Sequence, residues 1–200
     1  IITRCRGKRA TEPAMSGAGA ATPGPGTAVH SGASFPAMRH AKVPRSIIAG
    51  PYGHPFHPVA VTIPIGAWSS SLVFDLLGIA SDDPRSFATG SRWLIAIGLG
   101  GAVGASALGL LDMSRIPRGT PARRTAVAHL VINVTAMVLF SLSLVLRMLD
   151  LARVPVVAFG LSLVASVGLS VSGWLGGKLA YRWGVRVADE NTQREGFETA

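Results

Sequence analysis

Four apolar stretches of roughly twenty residues each dominate this sequence and set what it can fold into. They run from Pro58 to Ala80, from Trp93 to Leu111, from Ala126 to Leu146 and from Val154 to Gly177. At 1.5 Å of rise per residue, a helix of about twenty residues crosses the roughly 30 Å hydrocarbon layer of a bilayer. The second and fourth stretches carry no charge, whereas the first holds Asp75 near its far end and the third holds His129 and Asn133. Short connections place consecutive helices antiparallel. The predicted fold class is therefore all-α, a polytopic membrane protein built as a four-helix up-down transmembrane bundle. Composition agrees: 48% of residues are hydrophobic and 14% charged, a balance suited to a membrane domain rather than a soluble one.

The flanks read differently. Residues 1–50 are rich in Ala, Gly, Pro and Ser, as in the run GAGAATPGPG from Gly17 to Gly26, and such a segment buries too little apolar surface to fold. The expected organisation is a disordered N-terminal tail at 1–50, a transmembrane domain at 51–187 and a cytoplasmic C-terminal tail at 188–200. The N-terminal segment lacks the continuous apolar run of a signal peptide. The sequence opens Ile1-Ile2-Thr3, so translation is expected to start at Met15 or Met38. Cys5 is the single cysteine, which excludes an internal disulfide, a Cys-based zinc site and a thiolate-held iron–sulfur cluster.

A formal charge of +9 fits either nucleic acid or an anionic lipid surface, and location decides between them. The basic residues adjoin the apolar spans and form no separate module with interleaved aromatics, so lipid headgroups are the expected partner and nucleic acid is not. Arg39, Lys42, Arg45, Arg115, Arg118, Arg123, Arg124, Lys178, Arg182, Arg186 and Arg194 fall on one side of the bundle, against Arg85, Arg92, Arg147 and Arg153 on the other. By the positive-inside rule both termini are expected to be cytoplasmic, an N-in/C-in arrangement. Small residues such as Gly100 and Gly104 in the second span, and Gly168 with Ser172 in the fourth, are spaced for close helix packing.

Because the helices alternate in direction, His54, His57, Asp112, His129 and the segment Gly173–Lys178 all reach one membrane face. His129 lies about 4.5 Å inside the third span, at a depth similar to His57 where the first span begins. Asn133 is one turn beyond His129, with Met137 and Phe140 continuing the stripe, which should face the bundle because His and Asn are costly in lipid. Three chemistries fit this pair: axial ligation of a b-type haem by His57 and His129; a small metal site from His54, His57, His129 and Asp112; and proton transfer or quinone contact through His129 and Asp112. The bland alternatives are helix capping or headgroup contact for His54, and an ion pair between Asp112 and Arg115, Arg123 or Arg124. Asp75, eighteen residues beyond His57, belongs to the opposite face and is expected to pair with Arg92 or Arg147. Trp68, Trp93, Trp174, Tyr181 and Trp183 read as interfacial anchors or bundle packing.

The segments GHPFHPVAVTIPIGAWSSSLVFDLLG (53–78), GLLDMSRIPR (109–118), RRTAVAHLVINVTAMVLF (123–140) and GWLGGKLAYRWGVRV (173–187) resemble a bacterial membrane-protein family catalogued as domain of unknown function 2231. The resemblance implies a four-helix protein and, through relatives joined to or found beside Rieske-type domains, a link to electron transfer. Where relatives often carry His in the last segment, this chain has Lys178 and Trp183. The recurring polar positions that remain are His57 and His129 as axial ligands, with Asn133 and Asp112 supporting them. The function expected is a small redox-system subunit holding one b-type haem or contacting quinone at the cytoplasmic face, with redox proteins as partners. The alternative is a non-enzymatic scaffold or assembly factor; a transporter has less support from four helices and one polar cluster.

Overall fold

The computed structural model describes residues 36–198. Its framework is four long helices, each long and apolar enough to span a membrane. The first spanning helix is assembled from α2 (His57–Ala60) and α3 (Thr62–Ala80), which run on as one element of 24 residues. It is followed by α4 (Pro84–Met113), α5 (Pro121–Leu149) and α6 (Val156–Gly177). A short α1 (Pro36–Lys42) precedes the bundle, and a π-helical turn (Lys178–Arg182) and α7 (Glu190–Arg194) follow it. The multi-pass, all-helical reading of the sequence is thus the architecture of the described chain.

Local signals explain where these helices begin. Pro84 and Pro121 occupy first-turn positions, where the missing N–H costs nothing, and the Thr120 hydroxyl accepts a hydrogen bond from the Arg123 backbone N–H at 3.1 Å. Consequently α4 and α5 start well before the apolar stretches at Trp93 and Ala126. Their polar first turns, Arg85 to Arg92 and Pro121 to Thr125, hide the helix from a reading based on hydropathy alone.

Helices α3 with α4 and α5 with α6 form two antiparallel hairpins, and these pack against each other through a core of mixed character. At its centre Trp68 stacks on Phe140, ring centroids 4.2 Å apart and planes 10° from parallel. The Trp68 indole N–H donates to the Ile95 carbonyl at 3.3 Å. Around them the interior is small: Ala102, Ala136, Ala158 and Ala165 are buried together with Ser71, Ser91, Ser143 and Ser162. Valine, leucine and isoleucine side chains such as Val73, Val103, Val138 and Leu142 point outward. Small residues inside and branched ones outside is the arrangement of helices that pack in lipid. Gly98 lies so close to the Trp68 indole that a Cβ there would overlap it, whereas Gly100 and Gly104 face open space. The close approach expected of Gly100 and Gly104 is therefore made one face over.

Away from the histidines, the hairpins are joined by a buried ion pair. Arg147 donates from both terminal nitrogens to Asp75, at 2.6 and 2.7 Å, and the Ser91 hydroxyl adds a third bond at 2.6 Å. Both residues are at most 1% exposed. Of the two partners considered for Asp75, Arg147 is the one used; Arg92 bonds instead to the Leu151 carbonyl and the Thr89 hydroxyl.

The expectation of a disordered tail through residue 50 divides. Residues 1–35 lie outside the described residues, but 36–50 are docked on the bundle, with Ala41 and Ala49 buried. The reason is a residue from the far end of the chain, Arg186. It is 4% exposed and donates to the carbonyls of Ala49 and Gly50 at 2.9 Å each. Its own N–H bonds to the Ala41 carbonyl at 3.1 Å. Both described ends of the chain therefore meet at one end of the bundle, here termed the terminal face.

Candidate functional site

The two histidines singled out by sequence come together at the terminal face. Their ring centroids are 6.3 Å apart and their planes lie 83° from each other. Each is held in the same way. The His57 Nδ1 lies 2.8 Å from the Ala105 carbonyl oxygen on α4, and the His129 Nδ1 lies 2.9 Å from the Ser172 carbonyl oxygen on α6. A carbonyl only accepts, so Nδ1 carries the proton in both rings and Nε2 keeps its lone pair. One turn further along the partner helix stands a glycine in each case, Gly109 and Gly176. A Cβ there would come within 3.0 Å of the His57 ring and 3.3 Å of the His129 ring, so the missing side chains are what allow the imidazoles to lie against those helices.

Asn133 supports the second histidine, donating to the Ser172 hydroxyl at 2.8 Å and to the His129 carbonyl at 2.9 Å. That hydroxyl lies 2.9 Å from the His129 Nδ1. The ring is therefore fixed by a network, which is what positions an imidazole for ligation or proton transfer.

Both rings line a cavity of about 440 Å³ between the hairpins, within the range of roughly 300–1,000 Å³ typical of cofactor and small-molecule sites. Val61, Ile65, Leu110 and Met137 give it apolar walls, and Trp68 lies at its inner end. Asp112 and Arg186, both buried, also line it. Their Oδ1 and Nε atoms are 2.8 Å apart, yet the N–H is not aligned on the oxygen, so neither atom has a true hydrogen bond there. This is a charge contact in a buried place rather than a directed bond.

Here the structure corrects the sequence reading. The partner of Asp112 is Arg186 and not Arg115, Arg123 or Arg124, which reach the Val43 carbonyl, the Met113 carbonyl or solvent. Arg186 adopts a left-handed backbone, φ 61°, a conformation uncommon for a residue with a Cβ. No local pattern marks it, because its partners lie about seventy residues or more upstream. His54 does not line the cavity; its Nδ1 lies 3.4 Å from the Tyr52 carbonyl. Among the described residues no group of three His, Cys, Asp or Glu side chains converges on a common point, so the metal site built from His54, His57, His129 and Asp112 does not assemble. Lys178 stands over the Trp174 and Trp183 rings at 5.5 and 5.9 Å and takes no part in the histidine pair.

A family model described as a predicted membrane protein, domain of unknown function 2231, matches residues 53–189. No curated protein and no solved structure matches the chain. That match takes in all four spanning helices, both imidazoles and the Asp112–Arg186 contact, and the chain accordingly belongs to the domain of unknown function 2231 family of membrane proteins.

Proposed function

We propose that the chain is a small multi-pass subunit of a membrane redox system and that the terminal-face cavity holds one b-type haem between His57 and His129. The observation that carries this reading is the paired imidazoles, each with Nδ1 spent on a backbone carbonyl and, among the described residues, no hydrogen bond at Nε2. Imidazole ligands of metals use this device: the N–H bond on one nitrogen fixes the ring and makes the other nitrogen a better donor. The spacing fits as well. The ring centroids are 6.3 Å apart, near enough for both imidazoles to reach one metal, whose bond to an imidazole nitrogen is roughly 2.0–2.1 Å long. Haem supplies one-electron chemistry when bound; His57 and His129 would hold it, the apolar walls would exclude water, and Asp112 and Arg186 would lie along the same cavity. The basic loops favour a cytoplasmic terminal face with both termini inside, and the resemblance to a bacterial membrane-protein family favours the bacterial inner membrane as the location.

A quinone at the same site is the second reading. It is favoured by Ile65 and Leu110, which line the cavity yet remain 50% and 51% exposed on the outer surface, a route open to a lipid-soluble ring. The protonated Nδ1 leaves Nε2 as an acceptor, so the quinol hydroxyl is the form an imidazole would bind.

Absorption spectroscopy of the detergent-purified chain tests both. Haem predicts a Soret band that His129→Ala abolishes or weakens. A purified protein without a Soret band, or one whose haem content is unchanged in His129→Ala, refutes the haem reading, and a quinone in the organic extract of such a sample supports the second. If the chain is instead a scaffold, a stoichiometric partner will co-purify undiminished when both histidines are replaced by alanine.

A further inference from the structure

The way His57 and His129 are seated repeats between the hairpins, and the repetition extends through the whole bundle. Seventy-two positions separate His57 from His129, Trp68 from Phe140, Ser71 from Ser143 and Asp75 from Arg147. Three of these four pairs are in direct contact: the imidazoles at 6.3 Å, the stacked rings at 4.2 Å and the ion pair at 2.6 Å. Residues that meet their own equivalents in this way lie on a two-fold axis. The second helices obey a constant spacing of their own, sixty-seven positions: Ala105 and Ser172 present the carbonyls to the imidazoles, Gly109 and Gly176 the gaps, and Ser91 and Ala158 are both buried beside the ion pair. The difference of five residues falls between Leu77 and Ser91 in the first copy and between Leu149 and Ala158 in the second, where the first hairpin has longer helix ends and a shorter connection.

The sequence carries the same trace. Ser69, Ser71, Leu72, Val73 and Leu77 recur as Ser141, Ser143, Leu144, Val145 and Leu149. We infer that residues 57–113 and 129–180 are two copies of one helical hairpin, and that the ligand of the cavity sits on the pseudo-two-fold axis between them, bound by the same atom, Nε2, from each copy.

This inference rests on the preceding reading for the identity of the ligand and adds which groups would hold it: one metal centre shared by two equivalent imidazoles, one from each copy. A ring bridged through two carbonyl oxygens does not satisfy the same symmetry here. At a centroid spacing of 6.3 Å, a quinone with two para oxygens has no room to meet one imidazole with each.

Ferric haem titrated into the full chain in detergent reads the ligand part. One haem per chain is expected, and His57→Ala and His129→Ala should weaken binding by the same factor, at least about tenfold, with added imidazole restoring the six-coordinate low-spin spectrum in both. Wild-type affinity in one variant and loss in the other overturns the axial placement while leaving haem binding intact. Absence of haem binding by the wild type overturns this mode of attachment together with the preceding reading. The duplication is read without any ligand. Exchanging the ion pair, Asp75→Arg with Arg147→Asp, should recover a folded chain melting near the wild-type temperature, because the two positions are equivalent by the axis. A double exchange that fails to fold, or melts no higher than the Asp75→Arg single variant, overturns the equivalence.

Discussion

The Asp75–Arg147 pair sets up the most quantitative perturbation in this molecule. Both side chains are at most 1% exposed, and the guanidinium grips both carboxylate oxygens at 2.6 and 2.7 Å. Truncation in Arg147→Ala removes both of those bonds and leaves the carboxylate with the Ser91 hydroxyl alone. Breaking a buried pair by deleting one partner costs about 3–5 kcal/mol, since an uncompensated charge stays behind. For a chain of this size each kcal/mol moves the melting temperature by about 2–4 °C, so the expected fall is roughly 6–20 °C. The double variant Asp75→Leu with Arg147→Leu removes both charges and should regain most of that loss, because replacing a buried pair with apolar side chains is often neutral. Thermal melts followed by circular dichroism in one detergent give all three values. A single truncation that melts with the wild type, or a double variant no better than the single one, refutes the claim that charge compensation at this point holds the hairpins together.

Other sites give further expectations. Gly98→Ala places a Cβ against the Trp68 indole and should destabilise by about 1–3 kcal/mol through overpacking; an unchanged melting temperature contradicts the packing described. Phe140→Ala deletes the stacking partner of Trp68 in a position with no exposure, and a loss of about 3–5 kcal/mol is expected in the same melts. Ser172→Ala removes the hydroxyl shared by Asn133 and His129 but leaves the carbonyl that holds the ring, so a modest cost of about 0.5–1.5 kcal/mol is expected. The Asp189 carboxyl is held below its ordinary value of 3.8 by the Thr192 backbone N–H and then by the Tyr52 hydroxyl. A depressed carboxyl contributes stability that is complete above its unfolded value and is lost as pH falls through the lower folded one. Docking of the C-terminal segment should therefore weaken only in acid below 3.8, seen as faster hydrogen exchange at the Thr192 amide, and Asp189→Asn should abolish that pH dependence.

The four spans were legible because about twenty apolar residues in a row leave a chain few choices. Their true starts were not, since the first turns of α4 and α5 are polar and only the proline and cap residues betray them. His57, His129 and Asn133 were legible from depth and helical stripe, and the structure brings them together. The partner of Asp112 was illegible: Arg186 reaches it from the other end of the chain through a left-handed turn, and no local spacing encodes such a contact. Gly100 and Gly104 match a packing motif by type, yet the neighbours of a helix, which sequence spacing does not specify, decide which glycine face is used. The duplication had a visible trace in Ser-x-Ser-Leu-Val-x-x-x-Leu at 69–77 and 141–149. It was masked because the positions that meet on the axis differ for physical reasons. Asp75 needs an opposite charge and not a second carboxylate, and Trp68 needs a smaller ring to stack within the same space.

The central claim is that two imidazoles, turned nearly perpendicular, bind one iron between them. Low-temperature electron paramagnetic resonance of the oxidised, haem-loaded full chain tests it most directly, because the angle between axial imidazole planes sets the anisotropy of a low-spin ferric signal. Planes at 83° predict a single, highly anisotropic low-spin species that is lost in both His57→Ala and His129→Ala. A high-spin signal, or the rhombic low-spin spectrum of parallel imidazoles, would contradict the account.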